Sequence, residues 1–104
     1  MLRGDVYRFK LPKGAGHEHG GRLGVVVQAD ELLPRSVVLV APTSRSARPA
    51  SFRPEVEVEG ARTRVLVERV GAVDVRRLGG LSGHLTREEL WGVDDALVTV
   101  LGLR

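Results

Sequence analysis

The chain predicts a mainly β fold: a small barrel of short strands with one helix packed on it at the C-terminus. Three observations carry this. Apolar runs of strand length, bounded by turn residues, recur through the first three-quarters of the 104 residues. Val56-Glu57-Val58-Glu59 alternates apolar and charged residues. Helical spacing with caps appears once, after residue 85.

The elements follow in order. Asp5 to Phe9 reads as a short strand. Residues 11–21 read as a loop, because Pro12, Gly14, Gly16, Gly20 and Gly21 leave little regular structure open. Leu23 to Gln28 and Ser36 to Ala41 are continuous apolar runs and read as strands buried in a sheet. A polar turn, Ala29 to Arg35, joins them. Residues 43–54 form a second long loop rich in Ser, Arg and Pro. Val56 to Glu59 reads as a half-exposed strand that turns at Gly60. Arg64 to Val73 reads as one longer strand, with Gly71 marking a bulge or bend. These make five strands. In the helix, Thr86 and Glu89 fit a capping box, and Leu85 with Leu90 fit a hydrophobic staple. Leu90, Val93, Leu97 and Val100/Leu101 recur at helical spacing until Gly102. Asp94 breaks the stripe, and a carboxylate there needs an arginine or backbone donors. Trp91 with Val98 widens the apolar face, as core or as a dimer contact.

Length sets one domain, residues 1–104. A 42% hydrophobic and 28% charged composition is that of a soluble globular protein. Cysteine is absent, which excludes disulfides, thiolate zinc sites and cysteine nucleophiles, and fits the cytoplasm. The N-terminus enters a strand pattern directly, without a secretory signal. Apolar runs stop far short of a membrane span. Net charge is +3, and 14 of the 16 basic residues are arginine. Residues 1–54 carry nine Lys/Arg against four Asp/Glu, while residues 55–104 carry seven against nine. Arginine-favouring codons explain such a bias as well as phosphate recognition does, although guanidinium forks do match phosphate oxygens.

The chemistry concentrates around two strands. Arg22 opens the Leu23 run, and Thr43 closes the run after it. Sequential strands are commonly neighbours, so the two residues are expected at one rim of one sheet. A guanidinium beside a hydroxyl suits a phosphodiester. Residues alone leave a second option for Arg22, an ion pair with Glu18 or Asp30. The loop after Thr43 carries Arg45, Arg48 and Arg53 without an acid. Its length and basicity favour contact with nucleic acid. Phe52 either stacks a base or plugs the barrel end. His17-Glu18-His19 lacks a third ligand at a metal-site interval, so no metal is expected.

Five blocks then give a resemblance that spans nearly the whole chain, from Arg3 to Leu103. They are MLRGDVY (1–7), GHEHGGRLGVVVQAD (16–30), VVLVAPTSR (37–45), LVERVGAVDVRRL (66–78) and LTREELWGVDDALVTVLGL (85–103). No block is diagnostic alone. In this order and spacing they resemble the MazF/PemK family, the endoribonuclease toxins (mRNA interferases) of bacterial type II toxin–antitoxin pairs. The resemblance implies an SH3-like barrel with a C-terminal helix, as in MazF, PemK and CcdB. It implies a cytoplasmic homodimer that cuts single-stranded RNA without metal or other cofactor, leaving 2′,3′-cyclic phosphate and 5′-hydroxyl ends. A cognate MazE-like antitoxin is the implied partner. Arg22 and Thr43 match the family's catalytic pair. Glu18 matches an acid of the first loop, and His17 or His19 are further candidates for assistance. Lys13, Ser44, Arg45, Arg48 and Phe52 are the expected RNA contacts. Two departures stand out: Leu23 where the family usually has proline, and Arg69-Val70-Gly71 where it often has Gln-Ile-Arg.

Rival readings are a gyrase-binding toxin on the same barrel and an inactive RNA-binding relative. A peptide-binding SH3 module needs an aromatic-lined groove, which four aromatics (Tyr7, Phe9, Phe52, Trp91) hardly supply.

Overall fold

The computed structural model describes residues 1–10 and 22–104. Seven strands occur among them: β1 (Asp5–Phe9), β2 (Leu23–Val26), β3 (Val37–Ser44), β4 (Glu55–Val58), β5 (Ala61–Val65), β6 (Gly71–Asp74) and β7 (Leu78–His84). Helix α1 (Arg87–Leu101) follows. The sheet order is β4-β5-β3-β2-β1-β7, with β6 also paired to β3, and all ladders are antiparallel. The ends of this order curl toward each other. Val58 of β4 comes within 3.9 Å of a Cβ placed on Gly83 of β7. Arg8 of β1 pairs with Glu59 in the β4–β5 turn. The result is the expected class, a mainly β, curled half-barrel with one C-terminal helix.

Two of the expected elements differ. Arg64 to Val73 is not one strand. Val65, Leu66 and Val67 are all buried, which a flat strand with alternating faces cannot do. The chain leaves β5 at Val65, makes a 3-10 turn over Val67–Arg69, and re-enters the sheet as β6 at Gly71. Both β5 and β6 pair with β3, at Thr43–Ser44 and at Val37–Val40, so the turn carries the chain along β3. The bend flagged at Gly71 is this corner. The second difference is β7, which the sequence hides in Leu78-Gly79-Gly80-Leu81-Ser82-Gly83-His84. Pairing with β1 makes it a strand, against its glycine content.

Both faces of the sheet are covered. Val6, Leu23, Val25, Ala41, Val56, Val58 and Val65 pack with Val93 and Ala96 of α1 in the main core. On the other face, Val38, Val40 and Leu78 pack with Tyr7, Phe9, Val73 and Val75. Burial pushes the Tyr7 phenol up, and the Asp5 carboxylate adds to the shift. Gly24 marks the tightest approach between β2 and its neighbours. A Cβ there would lie 2.5 Å from Val40 and 2.8 Å from the Phe9 ring, so only glycine fits without displacement.

The helix starts and stops as expected. The Thr86 hydroxyl accepts from the Glu89 amide at 3.1 Å, and Glu89 accepts from the Thr86 amide at 2.8 Å. Leu85 and Leu90 both pack on the main core. Gly102 takes the left-handed conformation (φ 65°), and the Leu103 amide donates to the Val98 carbonyl, closing the end. Asp94 finds its arginine: Arg3 Nη2 donates to it at 2.6 Å. Trp91 is 57% exposed and is not core.

Candidate active site at one rim of the sheet

The ladder registers bring the expected catalytic pair to one rim. Pairing of β2 with β3 sets Gly24 opposite Pro42 and Val25 opposite Ala41. Leu23 therefore faces Thr43, and the Thr43 hydroxyl donates to the Leu23 carbonyl at 3.3 Å. Arg22 precedes Leu23 and is exposed. Its carbonyl accepts from the Phe9 amide at 2.8 Å, which fixes its backbone beside the end of β1. Continued two residues past its last pair, Gly24 with Pro42, the same register would set Arg22 opposite Ser44. Side chains alternate along a strand, so Thr43 shares a face with Leu23, while Ser44 falls on the face next to Arg22. Sequence spacing alone did not separate these two hydroxyls. The Ser44 hydroxyl lies 3.3 Å from that of Ser46.

Both hydroxyls make only long hydrogen bonds, beyond the 2.7–2.8 Å usual for O–H···O. Each can turn to a stronger acceptor at small cost. Asp30, offered as a partner for Arg22, is at the far end of β2 and accepts from the Arg3 amide at 2.6 Å. Among the described residues no carboxylate pairs with Arg22. Leu23, in place of the family's proline, is buried in the main core and seats the start of β2.

The loop after β3 is pinned at one point. Arg53 donates from Nε and Nη2 to Glu68 Oε2, at 2.7 and 2.6 Å. Its Nη1 donates to the Arg48 carbonyl at 3.2 Å. The carbonyl of Arg53 accepts from Arg64 at 3.0 Å. Arg53 thus ties the backbone at Arg48 to the turn after β5, and its hydrogen bonds hold Glu68 below the usual carboxylate range. Glu68 Oε1 is buried without a partner among the described residues. Sequence reasoning did not single out this clamp, because Glu68 is fifteen residues away from Arg53 and outside the loop. Arg45 and Arg48 are exposed, with no carboxylate partner among the described residues. Phe52 packs against the main core, with the Arg53 guanidinium 5.7 Å from its ring centre. Of the two readings for Phe52, these contacts favour the plug over a base-stacking platform. Lys13, His17, Glu18 and His19 lie outside the described residues. Among the described residues, no three His, Cys, Asp or Glu side chains gather as metal ligands. No helix there is long and apolar enough to cross a membrane. A shallow depression between the β4–β5 hairpin and α1 is lined by Glu55, Glu57, Glu89 and Arg62, a mainly acidic wall that would repel phosphate.

The fold is a small curled barrel with Arg22, Thr43 and Ser44 at one edge of its sheet. Residues 2–101 match the PemK-like, MazF-like toxins of type II toxin–antitoxin systems, and the chain belongs to that family. A Mycobacterium tuberculosis (strain ATCC 25618 / H37Rv) protein with a provisional toxin name is 41% identical over 105 residues, across 99% of each chain. Among the solved structures that share the fold are two from mycobacteria. One is an endoribonuclease in complex with its cognate antitoxin, from a mycobacterial species, with TM-score 0.81 and 20% identity over 100% of this chain and 97% of that one. The other is the Mycobacterium tuberculosis toxin MazF-mt6, with TM-score 0.79 and 17% identity over 96% and 98%.

Proposed function

We propose that residues 1–104 act as one endoribonuclease toxin domain that cuts single-stranded RNA in the cytoplasm and is neutralised by a cognate antitoxin. Family membership supports the toxin class. The fold neighbour solved with its antitoxin supports the kind of partner. The observation that supports the chemistry is the β2–β3 pairing, which runs the head of β2, just after Arg22, beside the end of β3 that holds Thr43 and Ser44. The ribose 2′-oxygen attacks the adjacent phosphorus, forming one P–O bond as the bond to the 5′-oxygen breaks. The 2′-hydroxyl gives its proton to a base, and the departing 5′-oxygen gains one. The products are a 2′,3′-cyclic phosphate and a 5′-hydroxyl. Arg22 stabilises charge building on the phosphoryl oxygens, and Thr43 donates to the same oxygens. A guanidinium has no acceptor site, so the base is another group, with His17, Glu18 and His19, a few residues before Arg22 in the sequence, as candidates. Ser44 at the end of β3, Arg45 and Arg48 just after it, and Lys13 bind the RNA backbone. The step uses no metal. The exposed Trp91 on α1 supports a homodimer.

Incubation of the protein with single-stranded RNA in EDTA should yield fragments with those two ends, and purified antitoxin should stop the reaction. Intact RNA under these conditions, with folded protein, would overturn the enzymatic reading. Sedimentation equilibrium should give twice 11.3 kDa.

A further inference from the structure

We propose that Arg53 and Glu68 are positioning residues for RNA: they hold the loop after β3 in the shape that presents Arg48 to the backbone of the strand. The proposal rests on the RNA reading above, in which Arg48 binds that backbone, and names what sets its place. Residues 45–54 carry the chain from β3 to β4, the two strands on either side of β5. Both ends of the span are tied to β5. Ser44 pairs with Arg64, and the Val65 amide donates to the Pro54 carbonyl at 3.0 Å. Between those ties, Arg45 and Arg48 are exposed. A connection of this length keeps freedom in its middle unless something inside the span is fixed as well.

Arg53 supplies that inner tie. One edge of its guanidinium holds Glu68 Oε2, through Nε at 2.7 Å and Nη2 at 2.6 Å, while Nη1 holds the Arg48 carbonyl at 3.2 Å. The guanidinium is a rigid plane, so fixing one edge fixes the other. Glu68 sits in the 3-10 turn Val67–Arg69, and Val67 is fully buried in the main core. Phe52, next to Arg53, packs on the same core. Placement therefore passes from the core to Glu68, from Glu68 to Arg53, and from Arg53 to the Arg48 backbone. Desolvation offsets much of the attraction in a partly buried ion pair, whereas its hydrogen-bond geometry admits one arrangement of the loop. The sign of Glu68 separates this role from a charge effect. An acid next to a phosphate-binding loop repels RNA, so by charge alone its removal would tighten binding. A positioning role requires the reverse.

The test is salt-dependent binding to a short single-stranded RNA with every ribose 2′-O-methylated, so that it cannot be cut. Glu68→Ala should raise Kd about tenfold, the scale of one lost charge-assisted contact. It should also reduce the magnitude of the slope of log K against log salt by about 0.7, the share of one phosphate on a single strand, although no cation has been removed. Arg48→Ala should do the same, and the double variant Glu68→Ala/Arg48→Ala should bind no worse than either single one. Arg53→Lys keeps the net charge but not the fork, and should follow Glu68→Ala. With unmodified RNA the loss should fall on KM rather than kcat. Circular dichroism checks the fold of each. A Glu68→Ala protein that binds as tightly as wild type, or more tightly, overturns the positioning role while the RNA reading stands, provided the protein still cuts unmodified RNA. Losses that add in the double variant also overturn it, as does Arg48→Ala binding like wild type. If Glu68→Ala does not fold, Arg53→Lys with Arg48→Ala runs the same comparison. Wild-type protein that neither binds the methylated RNA nor cuts the unmodified one overturns both.

Discussion

The two ends of the β2–β1–β7 region treat charge in opposite ways. At the end holding the start of β1, Arg3, Asp5, Asp30 and Asp94 each have a partner. Asp5 accepts from the Leu2 amide at 2.8 Å and lies 2.7 Å from His84 Nδ1. Arg3 reaches Asp94 and donates from Nε to the Val27 carbonyl, and Asp30 takes the Arg3 amide. At the other end, Arg22, Lys10 and Arg77 are exposed without a described carboxylate. Paired charge joins strands and helix to one another. Unpaired charge on a rigid rim is available to a ligand. The proposed function puts chemistry at that rim and leaves architecture to the other end.

Substitutions at each end sharpen the contrast. The largest effect is expected at Arg22. Arg22→Ala should lower RNA cleavage by roughly 10²–10³-fold, the scale for removing one preorganised donor to a developing oxyanion. Thr43→Ala should cost roughly tenfold, since a neutral hydrogen bond contributes about 1 kcal/mol. Comparison with Ser44→Ala in the same cleavage assay decides which hydroxyl serves the phosphate. If Ser44→Ala costs more, the alternation of faces outweighs the family match at Thr43.

The other end should respond in stability instead. Arg3→Ala removes an ion pair to α1 and a hydrogen bond to Val27, at partly exposed positions, for about 1 kcal/mol. In a domain of this length that lowers Tm by about 4–8 °C. Cleavage at 25 °C should stay at the wild-type rate. A large loss of cleavage in folded Arg3→Ala would break the division between the two ends.

The smallest effect is one of pH. The Arg53 hydrogen bonds hold the Glu68 carboxyl low in the folded state. Such a group stabilises the protein above its unfolded value and loses that contribution as pH falls through the folded one. Melting temperature should therefore drop on acidification below about pH 4. Glu68→Gln should start lower at neutral pH and fall less steeply. Parallel curves for the two proteins would remove the clamp from the pH response.

Much of this molecule is legible in its sequence, and what is not has physical causes. The capping box at Thr86, the staple at Leu85 and the stop at Gly102 are local signals, and each holds in the structure. So does the need for a partner at Asp94, though not the identity of Arg3, which lies 91 residues away. Strand β7 was illegible because glycines carry no strand preference and its pairing to β1 is entirely long-range. The 65–67 corner was hidden because an unbroken apolar run reads equally as a buried strand or a buried turn. At the candidate site, Arg22 and Thr43 were visible from their strands. Which hydroxyl shares a face with Arg22 depends on register, and register is a property of the sheet.

The most direct measurement sets the two ends against each other in one experiment. Arg22→Ala and Arg3→Ala are assayed side by side for cleavage of single-stranded RNA in EDTA, with thermal melts followed by circular dichroism. The expected result is a crossed pattern. Arg22→Ala loses roughly 10²–10³-fold in cleavage with an unchanged melt, and Arg3→Ala keeps its cleavage and melts lower. A folded Arg22→Ala protein that cuts at the wild-type rate contradicts the assignment of chemistry to this rim.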